Sequence, residues 1–276
     1  MLALRNVLDA KKAKGKAFLV KPQAGLKREY QRSIDNIVKY IYQTFKSVVI
    51  DGMDRKVVTE QLKLVQDESY NERLKRLINE FTKRVRGKYT KDFIRRLCEK
   101  HLRRTYAWQN REFKKKMENF GLGLAGEDLL KEYRSFMRLK LDDNIALVQG
   151  LVENEIRQLK NQVMRNMSNG APASELAKGI KKHLDVSRNR AETIARTEVN
   201  TLTGQLNDRR ALELGITEGI WRGVEDNRER ASHRAAEGKR FKLKQGLKID
   251  GKWTWPGREP NCRCWTEYPM DQVLRG

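Results

Sequence analysis

Apolar residues recur at intervals of three and four along the chain as far as Gly215, the period of helices that bury one face. Tyr30, Ile34, Ile37, Val38, Ile41 and Phe45 form the first such stripe. Leu74, Leu77, Ile78 and Phe81 form a second within NERLKRLINEFTKRVRG, where Gly87 is placed to cap the C-terminus. A third helix is expected over KDFIRRLCEKHLRRTYAWQNREFKKKMENF, up to the glycine-rich break GLGLAG at 121–126. Leu141, Ile145, Val148, Val152, Ile156, Leu159, Val163 and Met167 then make a seam about 40 Å long at 1.5 Å per residue. So long a seam needs another helix beside it, from the same chain or from a second copy. After the loop SNGAPAS, with Ser174 as N-cap, Leu176, Ile180 and Leu184 predict a short helix. Ser187 opens a further long one that Gly215 closes.

Beyond Gly215 the period changes. ITEGIWRGVED alternates as a strand does, and KRFKLKQGLKIDGKWTW reads as short strands around a tight Asp250-Gly251 turn. The expected fold is therefore mainly α, with long helices forming an extended N-terminal body and a small α+β C-terminal cap. Four segments follow: a flexible basic arm over 1–28, a basic helical region over 29–140, long helices over 141–215 and the cap over 216–276. A cap of about 60 residues has little core of its own. It must lean on the preceding helix or be stapled by a metal.

Charge sharpens this picture. The chain carries 59 Lys+Arg against 36 Asp+Glu, a net +23, and residues 1–120 hold 31 basic and 14 acidic side chains, or +17 of it. A field concentrated in this way favours polyanions, and Lys11, Lys12, Lys14, Lys16 and Lys21 of the arm are candidate contacts to nucleic acid. No base-reading motif accompanies them, so such contact would be insensitive to sequence. A membrane partner is not expected. No apolar run reaches bilayer length, Arg5 and Asp9 break up the opening segment, and the basic residues are spread along the helices.

The three cysteines, Cys98, Cys262 and Cys264, do not form a disulfide framework, and a reducing compartment is expected. Cys98 and His101, one turn apart, read as a packed thiol and a partly exposed imidazole. In the cap, His233, Cys262 and Cys264 are candidate zinc ligands, with Asp226, Glu237 or a water to complete a tetrahedral set. The alternative is a pair of half-buried thiols packed on Trp253, Trp255 and Trp265. In the last helix Ala191, Ala195, Glu198, Leu202 and Leu206 share one stripe, which places the Glu198 carboxylate on the packed face. It then needs a partner, for which the cap offers Arg222, Arg228 or His233. Such a pair would tie cap to helix; with the His/Cys cluster, Glu198 could instead serve a zinc-assisted hydrolase or nuclease. P-loop, dinucleotide, HExxH and GxSxG patterns are all missing from the sequence, so a non-enzymatic role is expected.

Several pieces in the C-terminal third occur in a specific order. IARTEVN gives Arg196 and Glu198; GIWRGVEDNRERASHRAAEG gives Trp221, Asp226, Arg228, His233 and Gly238; WPGREPNCRCW gives Cys262, Arg263 and Cys264. Over about residues 140–270 the chain resembles the phage head morphogenesis family, the minor head proteins similar to protein F of phage Mu. The resemblance implies a virion component inside the phage head, met in the host cytoplasm during assembly. Its partners would be the portal protein, capsid or scaffold proteins and packaged DNA, and its task would be head assembly and DNA packaging or delivery.

Overall fold

The computed structural model describes residues 4–5, 16–53, 68–120, 123–124, 133–168 and 173–270. Its helices are α1 (Ala24–Phe45, running on into a π turn at Lys46–Ile50), α2 (Glu68–Lys88), α3 (Lys91–Glu118), α4 (Arg134–Ser168), α5 (Ala173–Glu213) and the one-turn α6 (Ala231–Arg234). The strands are β1 (Leu4–Arg5), β2 (Ala17–Phe18), β3 (Gly123–Leu124), β4 (Glu218–Arg222), β5 (Arg240–Lys242), β6 (Leu247–Ile249), β7 (Lys252–Thr254) and β8 (Trp265–Pro269). The mainly α class with a small strand-containing C-terminal region is as the periodicity predicts. No helix among the described residues is long and apolar enough to cross a membrane.

The chain divides into two compact units. One comprises Tyr30–Glu99 and Asp142–Glu192 and is helical. The stripes of α1 and α4 are its core: Ile34, Ile37, Val38, Ile41, Val148, Val152, Ile156 and Leu159 are all buried. Phe45 meets Phe81 of α2 edge to face at 5.2 Å between ring centroids. Two polar networks cross the inside of this unit. Tyr30 donates to Asn144 at 2.9 Å, and the buried Glu155 carboxylate accepts from Tyr42 at 3.1 Å and from Ser187 at 2.6 Å.

Ser187 departs from expectation here. The sequence suggested a helix start, yet α5 passes through it unbroken. Its hydroxyl also approaches the His183 carbonyl one turn back, at 3.0 Å. A serine whose side chain is satisfied within and beside the helix has no capping to do. Gly87 likewise sits inside α2, which ends one residue later at Lys88. Gly215 does close α5, at φ +82°. Gly215 N–H donates to Leu212 O and Ile216 N–H to Ala211 O, the paired bonds of a Schellman ending.

The second unit comprises Met1–Glu29, Lys100–Leu141 and Thr193–Gly276. Its sheet runs β2-β8-β4-β5, antiparallel throughout. Asp250 and Gly251, at φ 50° and 77°, turn the β6–β7 hairpin as expected. The core gathers Phe18, Phe113, Met117, Trp221, Phe241 and Tyr268. Phe18 stacks on Tyr268 at 4.6 Å and meets Phe113 edge-on at 5.7 Å.

Phe18 corrects the reading of the arm. Residues 16–28 are structured: Ala17 and Phe18 pair with Pro269 and Tyr268, and α1 begins at Ala24. A completely buried aromatic among lysines overrides local composition. Lys11, Lys12 and Lys14 lie outside the described residues. His101 is also buried rather than partly exposed, and burial lowers its pKa to about 4. Because the folded value lies below the ordinary 6.5, the unfolded chain binds the proton first as pH falls. We therefore expect a stability contribution that is full above pH 6.5 and lost toward pH 4, at most about 3 kcal/mol. Urea melts across that range should show the slope, and His101→Gln should flatten it.

Candidate functional site

The site is built where α5 meets the cap. Along the last turns of α5, Asn200, Thr203, Asn207, Asp208 and Arg210 are all buried. Asn200 donates to the Cys262 carbonyl at 3.0 Å, fixing the cysteine loop to the helix. Asn207 donates to the Val20 carbonyl at 2.9 Å, which fixes the segment after β2. Asp208 accepts from the Tyr268 hydroxyl at 2.6 Å on β8 and is ion-paired with Arg258 of the loop before the cysteines. Burial pushes the Asp208 carboxyl up, opposed by Arg258 and Tyr268. One helix thus holds three separate parts of the cap unit through groups that water cannot reach.

Glu198 is half-buried, beside the fully packed Val199 and Asn200. Of the partners suggested for it, Arg222 binds Glu267 at 2.8 Å and Glu237 at 2.8 Å. Those bonds raise the Arg222 pKa, Glu267 contributing most. Arg196, on the same turn, reaches the Asn261 side chain at 3.3 Å, as Thr193 does. The stripe Ala191, Ala195, Leu202 and Leu206 is buried as predicted.

The remaining signature residues fall into place around the loop. Trp221, on β4, is fully buried. Gly238, at φ +73°, turns the chain so that its N–H donates to the Trp221 carbonyl at 2.9 Å. Asp226 accepts from the Arg228 backbone N–H at 3.0 Å, and its carboxylate forms a two-point pair with Arg263. That pair holds the Asp226 carboxyl down to about 2.

His233, Cys262 and Cys264 do come together, as the sequence suggested. All three are buried, and their ligand atoms lie within 4.8 Å of one another. His233 Nδ1 is 3.4 Å from Cys262 Sγ and 3.6 Å from Cys264 Sγ. A hydrogen bond from the Cys264 thiol brings the Cys262 thiol down to about 6 against the effect of burial, while Cys264 itself is pushed up. The Gly257 N–H also donates to Cys262 Sγ at 3.3 Å. A cavity of about 80 Å³ opens beside the cluster, with Arg228, Arg230 and Val224 among its walls.

Asp226 is not part of this cluster, because Arg263 takes its carboxylate. Glu237 is likewise engaged, by Arg222 and the Gly223 N–H. The carboxylate beside the sulfurs is Glu229, which the sequence did not single out, with Oε1 3.6 Å from Cys264 Sγ. The tryptophans also divide. Trp221 is core, Trp255 is half-buried and donates to the Leu243 carbonyl at 2.8 Å, and Trp253 stands 52% exposed.

Comparison with known proteins agrees with this layout. Residues 157–267 match the family described as Phage Mu protein F like protein. An uncharacterized protein of Haemophilus influenzae is 31% identical over 121 residues, which is 44% of this chain and 26% of that protein. The chain thus spans about a quarter of the length of the relative it matches. No solved structure matches.

The buried ion pair makes a sharp stability prediction. Asp208→Ala would leave the Arg258 guanidinium and the Tyr268 hydroxyl without their acceptor, at a cost of about 3–5 kcal/mol. Tyr268→Phe, which removes one hydroxyl and keeps the ring, should cost about 1 kcal/mol. Equilibrium urea unfolding of the two variants measures the difference. Residues 157–267, which hold every one of the ordered motifs from Arg196 to Cys264, are thus the part of the chain that is similar to the Phage Mu protein F like family.

Proposed function

We propose that this chain is a minor head protein of a tailed phage, seated near the portal on the inside of the prohead. In this reading it acts by holding its partners, the portal, capsid or scaffold proteins and packaged DNA, rather than by turning over a substrate. The family match over 157–267 carries the proposal. The behaviour of the signature residues supports it. Trp221 packs, Gly238 turns, Asp226 pairs with Arg263, and the cysteine loop hangs on Asn200. Each spends its chemistry on holding the cap in place.

The net charge of +23 suits a place beside packaged DNA. Lysines that neutralise phosphates release counterions, so the gain is entropic and falls as salt rises. Lys16 and Lys21 are exposed at the cap sheet, where Lys21 sits 4.5 Å from the centre of the Trp265 ring. The zinc-assisted hydrolase reading draws on the same His/Cys cluster. It requires an open metal position and a free general base, whereas the carboxylate nearest the sulfurs, Glu229, is bound by two backbone N–H groups.

Two measurements test the proposal. Affinity for duplex DNA should fall about 10³-fold between 50 and 200 mM salt, with no dependence on sequence. A flat response removes the DNA contact and leaves the head role standing. Asymmetric imaging of particles should place the protein inside the shell at the portal vertex. Its distribution over the whole shell, or its absence from particles, would end the head assignment. Glu198-dependent cleavage of DNA by the purified chain would favour the enzyme.

A further inference from the structure

We infer that the outer face of β5 and the β6–β7 hairpin is a binding surface for an unpaired strand of nucleic acid. Trp253 is the platform for a base, and the basic side chains around it meet the phosphates. The inference does not depend on the head assignment or on the duplex contact proposed above, since it uses only the register, exposure and charge of this part of the cap.

Register puts these side chains on one face. Residues two apart on a strand, and residues directly opposite on an antiparallel neighbour, point the same way. Arg240 and Lys242 are two apart on β5, with the buried Phe241 between them on the other side. Lys242 bridges Gly246, and Lys248, two residues on, pairs with Trp253. Arg240, Lys242, Lys248 and Trp253 therefore share a face, and all four are exposed. The opposite face is the packed one, with Phe241, Leu243, Ile249 and Thr254 buried.

The two tryptophans of this segment differ in what they do. Trp255 is used by the fold. Its ring lies over Gly246, where a Cβ would come within 3.0 Å of it. Its N–H donates to the Leu243 carbonyl at 2.8 Å, and the Arg258 guanidinium sits 4.3 Å from the ring centre. Trp253 is 52% exposed and has no ring contact or hydrogen bond among the described residues. An indole kept in water forgoes the stabilisation that burial would give. Set among cations, it forms the combination that holds single strands, a ring for the base beside charges for the backbone.

Charge and spacing select the ligand. Residues 239–255 carry six Lys and Arg against Asp250 alone. Further across the sheet Glu218 stands opposite Lys242, and Glu267 is taken by Arg222. Side chains two apart on a strand stand about 7 Å apart, close to the step between successive phosphates. An acidic peptide would answer the lysines and leave the indole without a flat partner. A duplex offers phosphates but keeps its bases stacked and paired. An unpaired strand satisfies both, with little preference for sequence because every base has a π-face.

The test uses the whole chain with labelled oligothymidylate and oligouridylate. Anisotropy at low salt should show binding of both, and the tighter of the two identifies the strand as DNA or RNA. Trp253→Ala should weaken it at least about fivefold, and Trp253→Phe should restore most of the loss. Lys242→Ser combined with Lys248→Ser should reduce the slope of log affinity against log salt by about 1.4. Duplex affinity should stay within about twofold in Trp253→Ala, whose melting temperature should match the wild type. Trp253-dependent binding of single strands by a chain that ignores duplex DNA would still uphold the surface while removing the duplex contact. A wild type that binds neither oligonucleotide would overturn it, as would full single-strand affinity or a lowered melting temperature in Trp253→Ala. Trp253-dependent capture of anionic vesicles or polyglutamate in place of the oligonucleotides would give the face to a membrane or an acidic protein, and overturn it too.

Discussion

A carboxylate taken out of water is expensive unless it is answered on both oxygens, and Asp208 is answered by the cap. Tyr268 reaches one oxygen from the last strand, and Arg258 reaches the other from the loop that leads to the cysteines. If either partner moves away, a buried charge or hydroxyl is left alone. The helix and the cap therefore share one folding transition. The same logic repeats earlier along the helix, where Asn200, about two turns back, holds the Cys262 carbonyl and the adjacent Asn207 holds the Val20 carbonyl. Arg210, fully buried against Phe113 and bonded to Gln109 and Asn110, extends the polar seam to α3.

This seam explains how so small a cap can be ordered. A sheet of two- to five-residue strands has little apolar surface of its own. Its core is completed by residues from far along the chain: Phe18 stacks on Tyr268, and Phe113 and Met117 of α3 close the other side. Fastening one loop and one strand to a long helix in this way gives the cap a fixed surface.

Much of the helical body was legible because its stripes are long and regular. The faces of α1 and α4 are buried as their apolar spacing predicts, and the Asp250-Gly251 turn announced its hairpin. The His/Cys cluster was also readable, since few other roles suit three such side chains in so short a segment. What escaped the sequence was burial of polar residues. Asn200, Asn207, Asp208 and Arg210 look like a solvated helix face until the cap is laid over them. Glu198, by contrast, sits on the apolar stripe yet remains half-exposed. Glu229 was hidden among other charges. Strands β2 and β8 were missed because each is defined by its partner more than by its own alternation.

The central claim is that cap and helix open together. Native-state hydrogen exchange tests it most directly, by comparing the amides of β8 with those of α5 around residues 200–211. The account predicts one opening free energy for both, falling by the same amount when Arg258 is replaced by alanine. Cap amides that exchange through a separate, lower-energy opening, indifferent to Arg258→Ala, would contradict it.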